Sequence, residues 1–262
     1  MYARDLSLDL PAALVQPAPE QGGTSMAKAL ITWGGWPGHE PDKVAAIFQD
    51  MLVGAGASVT LTDSLACFDE AEELRGYDLI VPVWTMSELS KEAATNVSEA
   101  VARGTGLAGC HGGMCDAFRA NTLWQFMTGA NWVAHPGGDG VDYRVTITRP
   151  DHPLVAGIDD FDVSSEQYYL HVDPVNDVLA TTALPTVPWY HSANGPVQMP
   201  VVWTRAWGHG RVYYNALGHK ANVIADGPAH EMLRRGLLWA LEGKALAAGK
   251  GVDMFESTGS HF

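Results

Sequence analysis

The segment Gly109-Cys110-His111-Gly112-Gly113 follows a short apolar run and precedes Met114–Phe118, a stretch that suits a helix start. A Gly-x-X-x-Gly turn between a strand and a helix is the form of a nucleophile elbow, in which the glycines permit a tight turn that lifts the central side chain over the sheet end. The central residue here is histidine, neither serine nor cysteine. Three more histidines fall at comparable places: His39 between the first strand and its helix, His135 in the loop before Pro136-Gly137-Gly138, and His219 at the end of the strand through Tyr213, Tyr214 and Leu217. Each imidazole alone reads more readily as a packing or surface residue than as part of a site. Four at element ends point to a site, because neutral imidazole is both a common metal ligand and a near-neutral acid or base. The set has no His-Glu-x-x-His spacing and no close cysteine pair. Ser165-Glu166-Gln167-Tyr168-Tyr169 holds the best carboxylate, able to act as base or to orient a histidine, with a solvated loop glutamate as the bland alternative. Asp116, Arg119 and Gln125 follow the elbow and are placed to line the same cleft. The tryptophans 33, 36, 84, 124, 132, 203 and 207 fall near strand ends and loops, where flat aromatic faces suit sugar rings, although core packing accounts for most of them. Trp36, Trp84, Asp116 and Tyr168 are the candidate substrate contacts.

Positioning these residues requires a particular order of elements. Strands are expected at 29–33, 58–61, 79–84 and 106–110, with helices at 41–55 and 90–103 between them, which predicts a doubly wound, mainly parallel α/β sheet. Ligands bind such sheets at the carboxyl ends of the strands. Beyond residue 130 the alternation breaks. Strands at 141–148, 178–183, 201–206 and 211–216 joined by loops, then a helix at 227–242, add antiparallel or mixed strands to the same domain. His152-Pro153-Leu154 reads as a turn and Asp159–Asp162 as surface. Residues 1–25, rich in proline and glycine, read as an arm, 26–244 as the folded domain and 245–262 as a tail.

Composition narrows the partners. The 262 residues carry 16 Lys plus Arg against 30 Asp plus Glu, a formal charge of −14. That disfavours nucleic acid and anionic membrane as partners. No segment has the length of a membrane span or the form of a signal peptide. Three cysteines, 67, 110 and 115, make no disulfide framework and suit the cytoplasm. Cys110 stands one residue before the elbow centre and, by strand alternation, points elsewhere. Cys110 and Cys115 read as small buried hydrophobes. No nucleotide cofactor is indicated.

Several phrases together resemble the ThuA trehalose-utilisation family. They are Ile31-Thr32-Trp33-Gly34-Gly35-Trp36-Pro37-Gly38-His39-Glu40-Pro41, Pro82-Val83-Trp84-Thr85-Met86, Gly106–Phe118 across the elbow, Trp132–Gly137, Ser165–Tyr169 and Gly210–His219. The resemblance covers about residues 27–243. It implies a class I glutamine-amidotransferase-like fold, a role in catabolism of trehalose and related disaccharides, and work on 3-keto derivatives made by a partner sugar dehydrogenase. That fold family places a catalytic cysteine at the elbow, a histidine at a later strand end and a glutamate two residues on. Here His111 holds the cysteine's place, His219 matches the histidine and Ala221 stands where the glutamate would be. Glutaminase chemistry needs a thiolate, so it is disfavoured.

The sequence therefore supports an enzyme that acts on a disaccharide or its keto derivative by isomerisation, elimination or hydrolysis. His111, Glu166 and His219 are its catalytic candidates. His39, His111, His135 and His219 are the candidate ligands of a divalent metal such as zinc. A non-catalytic sugar-binding protein on the same fold is the competing reading, and Cys110 or Cys115 as a displaced nucleophile is a third. A homo-oligomer is compatible with the aromatic content.

Overall fold

The structure, a computed structural model, describes residues 26–252. The N-terminal arm, the end of the tail and His261 lie outside them. From the N-terminal side the elements run β1 (Lys28–Gly35), α1 (Pro41–Gly54), β2 (Ser58–Thr62), α2 (Ala71–Gly76), β3 (Leu79–Thr85), α3 (Lys91–Ala102) and β4 (Gly106–Cys110). Then come α4 (Gly112–Cys115), α5 (Thr122–Thr128), β5 (Ala130–Ala134), β6 (Val141–Ile147), β7 (Phe161–Ser165), β8 (Tyr169–Val172), β9 (Asp177–Leu184), β10 (Val197–Trp207), β11 (Gly210–Asn215) and α6 (Gly227–Ala247).

Nine strands form one sheet in the order β2-β1-β3-β4-β11-β10-β9-β6-β7, and β5 pairs with β8 in a separate ribbon. The pairings from β2 to β11 are parallel. Those from β11 to β7 are antiparallel. The parallel strands β3 and β4 and the centre of β1, Ala29–Thr32, are buried and mostly apolar, as strands covered on both faces must be. Helices α1 and α6 pack on each other and on β3, while α3 groups with α2 and α5. Trp124, Trp203, Tyr213, Tyr214 and Phe48 are fully buried among them. Trp124 and Trp203 are thus core residues.

The parallel α/β expectation holds for the first half, with boundaries within a residue or two. Several details differ. Strand β11 ends at Asn215, so His219 lies four residues beyond it in a loop. Gly218 at φ 114° carries the chain away from the strand direction at that point. The elbow runs into a single helical turn, α4, because Asp116 leaves helical geometry at its end. Asp159–Asp162 lies at the surface as expected, with the partly buried Phe161 opening β7. Strands β5, β7 and β8 and helices α2 and α5 were not expected.

Candidate active site

Four side chains from four separated segments meet at the carboxyl end of the parallel strands. His39 closes a 3-10 turn, Pro37–His39, between β1 and α1. His111 follows β4 with φ 49° and ψ −134°, a conformation few side-chain-bearing residues adopt. Its neighbours hold it there: the His111 N–H donates to Asn215 O at 2.7 Å and its carbonyl accepts the Tyr214 hydroxyl at 3.1 Å. A Cβ on Gly112 would stand 2.7 Å from both His39 Cε1 and Thr85 Oγ1, so glycine there lets the His39 ring lie over the elbow. His219 sits in the loop after β11. That loop is tied to the His39 loop by the Ala221 N–H, which donates to Glu40 Oε2 at 3.1 Å.

Glu166 comes from the other half of the molecule, in the link between β7 and β8. The link is anchored through its neighbours. Gln167 Nε2 donates to Thr182 Oγ1 at 2.9 Å and to Ala183 O at 3.0 Å, and its Oε1 accepts the Thr186 N–H. The Tyr143 hydroxyl donates to Glu166 O. The Glu166 side chain is buried as a result.

One nitrogen from each of His39, His111 and His219 and one oxygen of Glu166 lie within 4.8 Å of one another, all on buried residues. Glu166 Oε2 is 3.2 Å from His111 Nε2, 3.3 Å from His219 Nδ1 and 3.9 Å from His39 Nε2. The far nitrogen of each ring meets an oxygen: His111 Nδ1 to Ala216 O at 2.8 Å, His39 Nδ1 to Thr85 Oγ1 at 2.8 Å, and His219 Nε2 to Asp139 Oδ1 at 3.5 Å. A carbonyl only accepts, so His111 carries its proton on Nδ1. Burial pushes the His111 imidazolium down to about 4, so the ring is neutral near pH 7 and turns a lone pair toward Glu166. Burial works to raise the Glu166 carboxyl, but the surrounding imidazoles outweigh it and hold the group below the usual carboxylate range.

A lone pair facing an ionised oxygen 3.2 Å away is a pairing that a cation between them would satisfy. Burial disfavours protonating the ring, and His219 Nδ1 is buried with no hydrogen-bond partner among the described residues. Three imidazoles and one carboxylate, each ring braced by an oxygen behind it, are the donor set of zinc and other first-row divalent ions. The residues therefore fit a metal.

His135, in the loop after β5, stands apart from that set. Its Nε2 is 3.8 Å from Glu166 Oε1, the oxygen turned away from the other rings, and its side chain is partly exposed. The Trp36 ring meets His39 edge-on, centroids 4.8 Å apart, and is itself exposed, so it forms the solvent side of the cluster. Tyr168 is buried and stacks on His111 at 3.9 Å, presenting no free face to solvent. Asp116 is buried and bound by the Arg119 guanidinium, which lies over the Trp132 ring at 4.2 Å. Trp84 packs its ring against Gly34. The partners behind the rings, Thr85, Ala216 and Asp139, escaped the sequence reading. Asp139 carried a usable signal, an acid among glycines four residues after His135. Lys220 at 2.6 Å lowers its carboxyl further and keeps it ionised. The thiols are poor nucleophiles, since burial pushes Cys110 up to about 12 and raises Cys115 as well. Among the described residues no helix is long and apolar enough to cross a membrane.

Comparison with known proteins agrees with this architecture. The profile of the ThuA family, described as trehalose utilisation, matches residues 28–240. No curated protein sequence matches the chain. Among solved structures, a ThuA-like protein of Bacteroides uniformis superposes with a TM-score of 0.66 at 18% identity, over 86% of this chain and 95% of that one. One from Parabacteroides merdae gives 0.64 at 19% identity, over 84% and 91%. A β-galactosidase of Bacillus circulans sp. alkalophilus gives 0.55 at 14% identity, over 84% of this chain but 31% of its own. At these identities the likeness is one of fold.

Proposed function

The chain belongs to the ThuA family, whose role is in trehalose utilisation, and from that premise we propose that it is a metal-assisted enzyme moving a proton on a keto derivative of a disaccharide. The observation that carries the reading is the buried convergence of His39, His111, His219 and Glu166 at the carboxyl end of the parallel strands. A neutral sugar can be held by aromatic faces and hydroxyl partners alone; three braced imidazoles around an ionised carboxylate serve a cation.

His39, His111, His219 and Glu166 Oε2 would hold the ion. A bound divalent ion polarises a carbonyl oxygen and so acidifies the neighbouring C–H. Glu166 Oε1 faces away from the three rings and is the oxygen free to accept that proton, while the C–H electron pair delocalises onto the carbonyl oxygen. His135, 3.8 Å from Oε1 and partly exposed, passes the proton to solvent or returns it at a second carbon. Return gives isomerisation, and departure of a group beside the carbanion gives elimination. Trp36 shields the cluster from water on the side where its ring covers His39. The keto group must be supplied by a preceding alcohol oxidation, the work of a sugar dehydrogenase.

The test is exchange of the C–H adjacent to the keto group of 3-keto-trehalose in deuterated water, followed by mass spectrometry. Wild-type protein should catalyse exchange, chelator should stop it, and His111→Ala with Glu166→Ala should abolish it. Exchange that survives both substitutions removes the proposal, and exchange indifferent to chelator removes the metal.

A further inference from the structure

A cleft of about 390 Å³ opens beside the cluster, in the size range of small-ligand sites. One wall is Trp132, His135 and Pro136, from β5 and the loop after it, and the other is Pro188 and Trp189, from the segment between β9 and β10. His135 belongs to both places, because it lines the cleft and faces Glu166 Oε1. The cleft thus adjoins the cluster through His135.

One wall is held still, since the Arg119 guanidinium, fixed by Asp116, lies over Trp132; on the other, the backbone N–H of Trp189 donates to Ser192 Oγ at 2.9 Å within its own turn. Yet Trp189 is 52% exposed and Tyr190 beside it 88%, an aromatic rim with little covering it. Trp132 Nε1 and His135 Nδ1 are buried and have no hydrogen-bond partner among the described residues. Flat apolar walls match the faces of a pyranose, which present C–H groups.

Resting on the reading above, we propose that this cleft is the subsite for the second ring of a two-ring glycoside whose first ring is at the histidine–glutamate cluster. Trp132 and Trp189 are then the residues that select a disaccharide over a monosaccharide.

The experiment compares trehalose with methyl α-glucoside, which has the same first ring and a methyl group in place of the second. Calorimetric titration of the full-length protein should show trehalose binding about tenfold more tightly, the worth of a stacked ring. Trp189→Ala should bring trehalose down to the level of the methyl glycoside without changing the latter, and Trp189→Phe should restore most of the preference. Equal affinity for the two sugars, no binding of either, or equal loss of both in Trp189→Ala would overturn the subsite. So would a Trp189→Ala protein with unchanged sugar binding and an altered mass by light scattering, which would make the rim a protein interface. The measurement needs no turnover, so a two-ring preference in a protein that fails the deuterium-exchange test separates a sound subsite from an unsound reaction assignment.

Discussion

The parallel and antiparallel halves contribute different chemistry to one site. The parallel half supplies imidazoles: His39 after β1, His111 after β4 and His219 after β11, with Thr85 at the end of β3 and Ala216 beyond β11 braced behind two of them. The antiparallel half supplies the acid, Glu166, from a link pinned to β6 and β9 by Tyr143 and Gln167. The rings lie in turns and loops past the strand ends and are braced by a backbone carbonyl behind His111 and by side-chain oxygens behind His39 and His219. The carboxylate is placed by side-chain hydrogen bonds, and its two oxygens serve two different neighbours. The difference teaches that the rings come from the loops of the parallel strands, while the acid is brought in from the antiparallel extension of the same sheet.

The sharpest way to break the comparison is to disable the acid and leave the rings. Glu166→Gln keeps shape and removes charge, and turnover should fall by about 10²–10⁴, the range of a lost general base; a smaller loss in steady-state assay would mean the rings suffice. Crowding the rings comes next. Gly112→Ala sets a methyl against His39 and Thr85 and should cost about 1–3 kcal/mol in denaturant unfolding, together with metal affinity. Unchanged stability and metal content would show that the elbow has slack. Asp139→Asn weakens the brace behind His219 along with the exposed Lys220 pair, and should lower metal affinity about tenfold, read by competition with a chromophoric chelator, with the fold intact.

The smallest effect is on pH. The His111 imidazolium is near 4 when folded and about 6.5 in an unfolded chain, so between those values the unfolded chain binds more protons. In metal-free protein that contribution to stability should be complete above about pH 6.5 and decline as pH falls toward 4. Thermal melts across that window check it, and His111→Asn should flatten the slope. An acid-independent melting temperature in the wild type would mean that His111 is charged in the folded protein.

The two halves were also unequally legible. Parallel strands with crossover helices show alternating patterns, and the glycines at 109, 112 and 113 mark the elbow directly, so His111 and His39 could be placed from spacing. Strand β8 has only four residues and β7 is flanked by aspartates, too little pattern to register. The burial of Glu166 depends on Gln167 reaching β9 and Tyr143 reaching across from β6, contacts between distant positions that no local window contains. Tyr168 and Asp116 were legible as members of the region but not in their roles. Tyr168 backs His111, and Asp116 secures Arg119 over Trp132.

The cluster's members stand at positions 39, 111, 166 and 219, so the first and last are separated by 180 positions. Each segment between them is a long loop whose closure costs entropy before any contact rewards it. A growing chain on the ribosome lacks His219 until most of the domain has been made. Ion uptake would thus come at the end of folding, clasping the first loop of the sheet to the last and registering that both halves have docked.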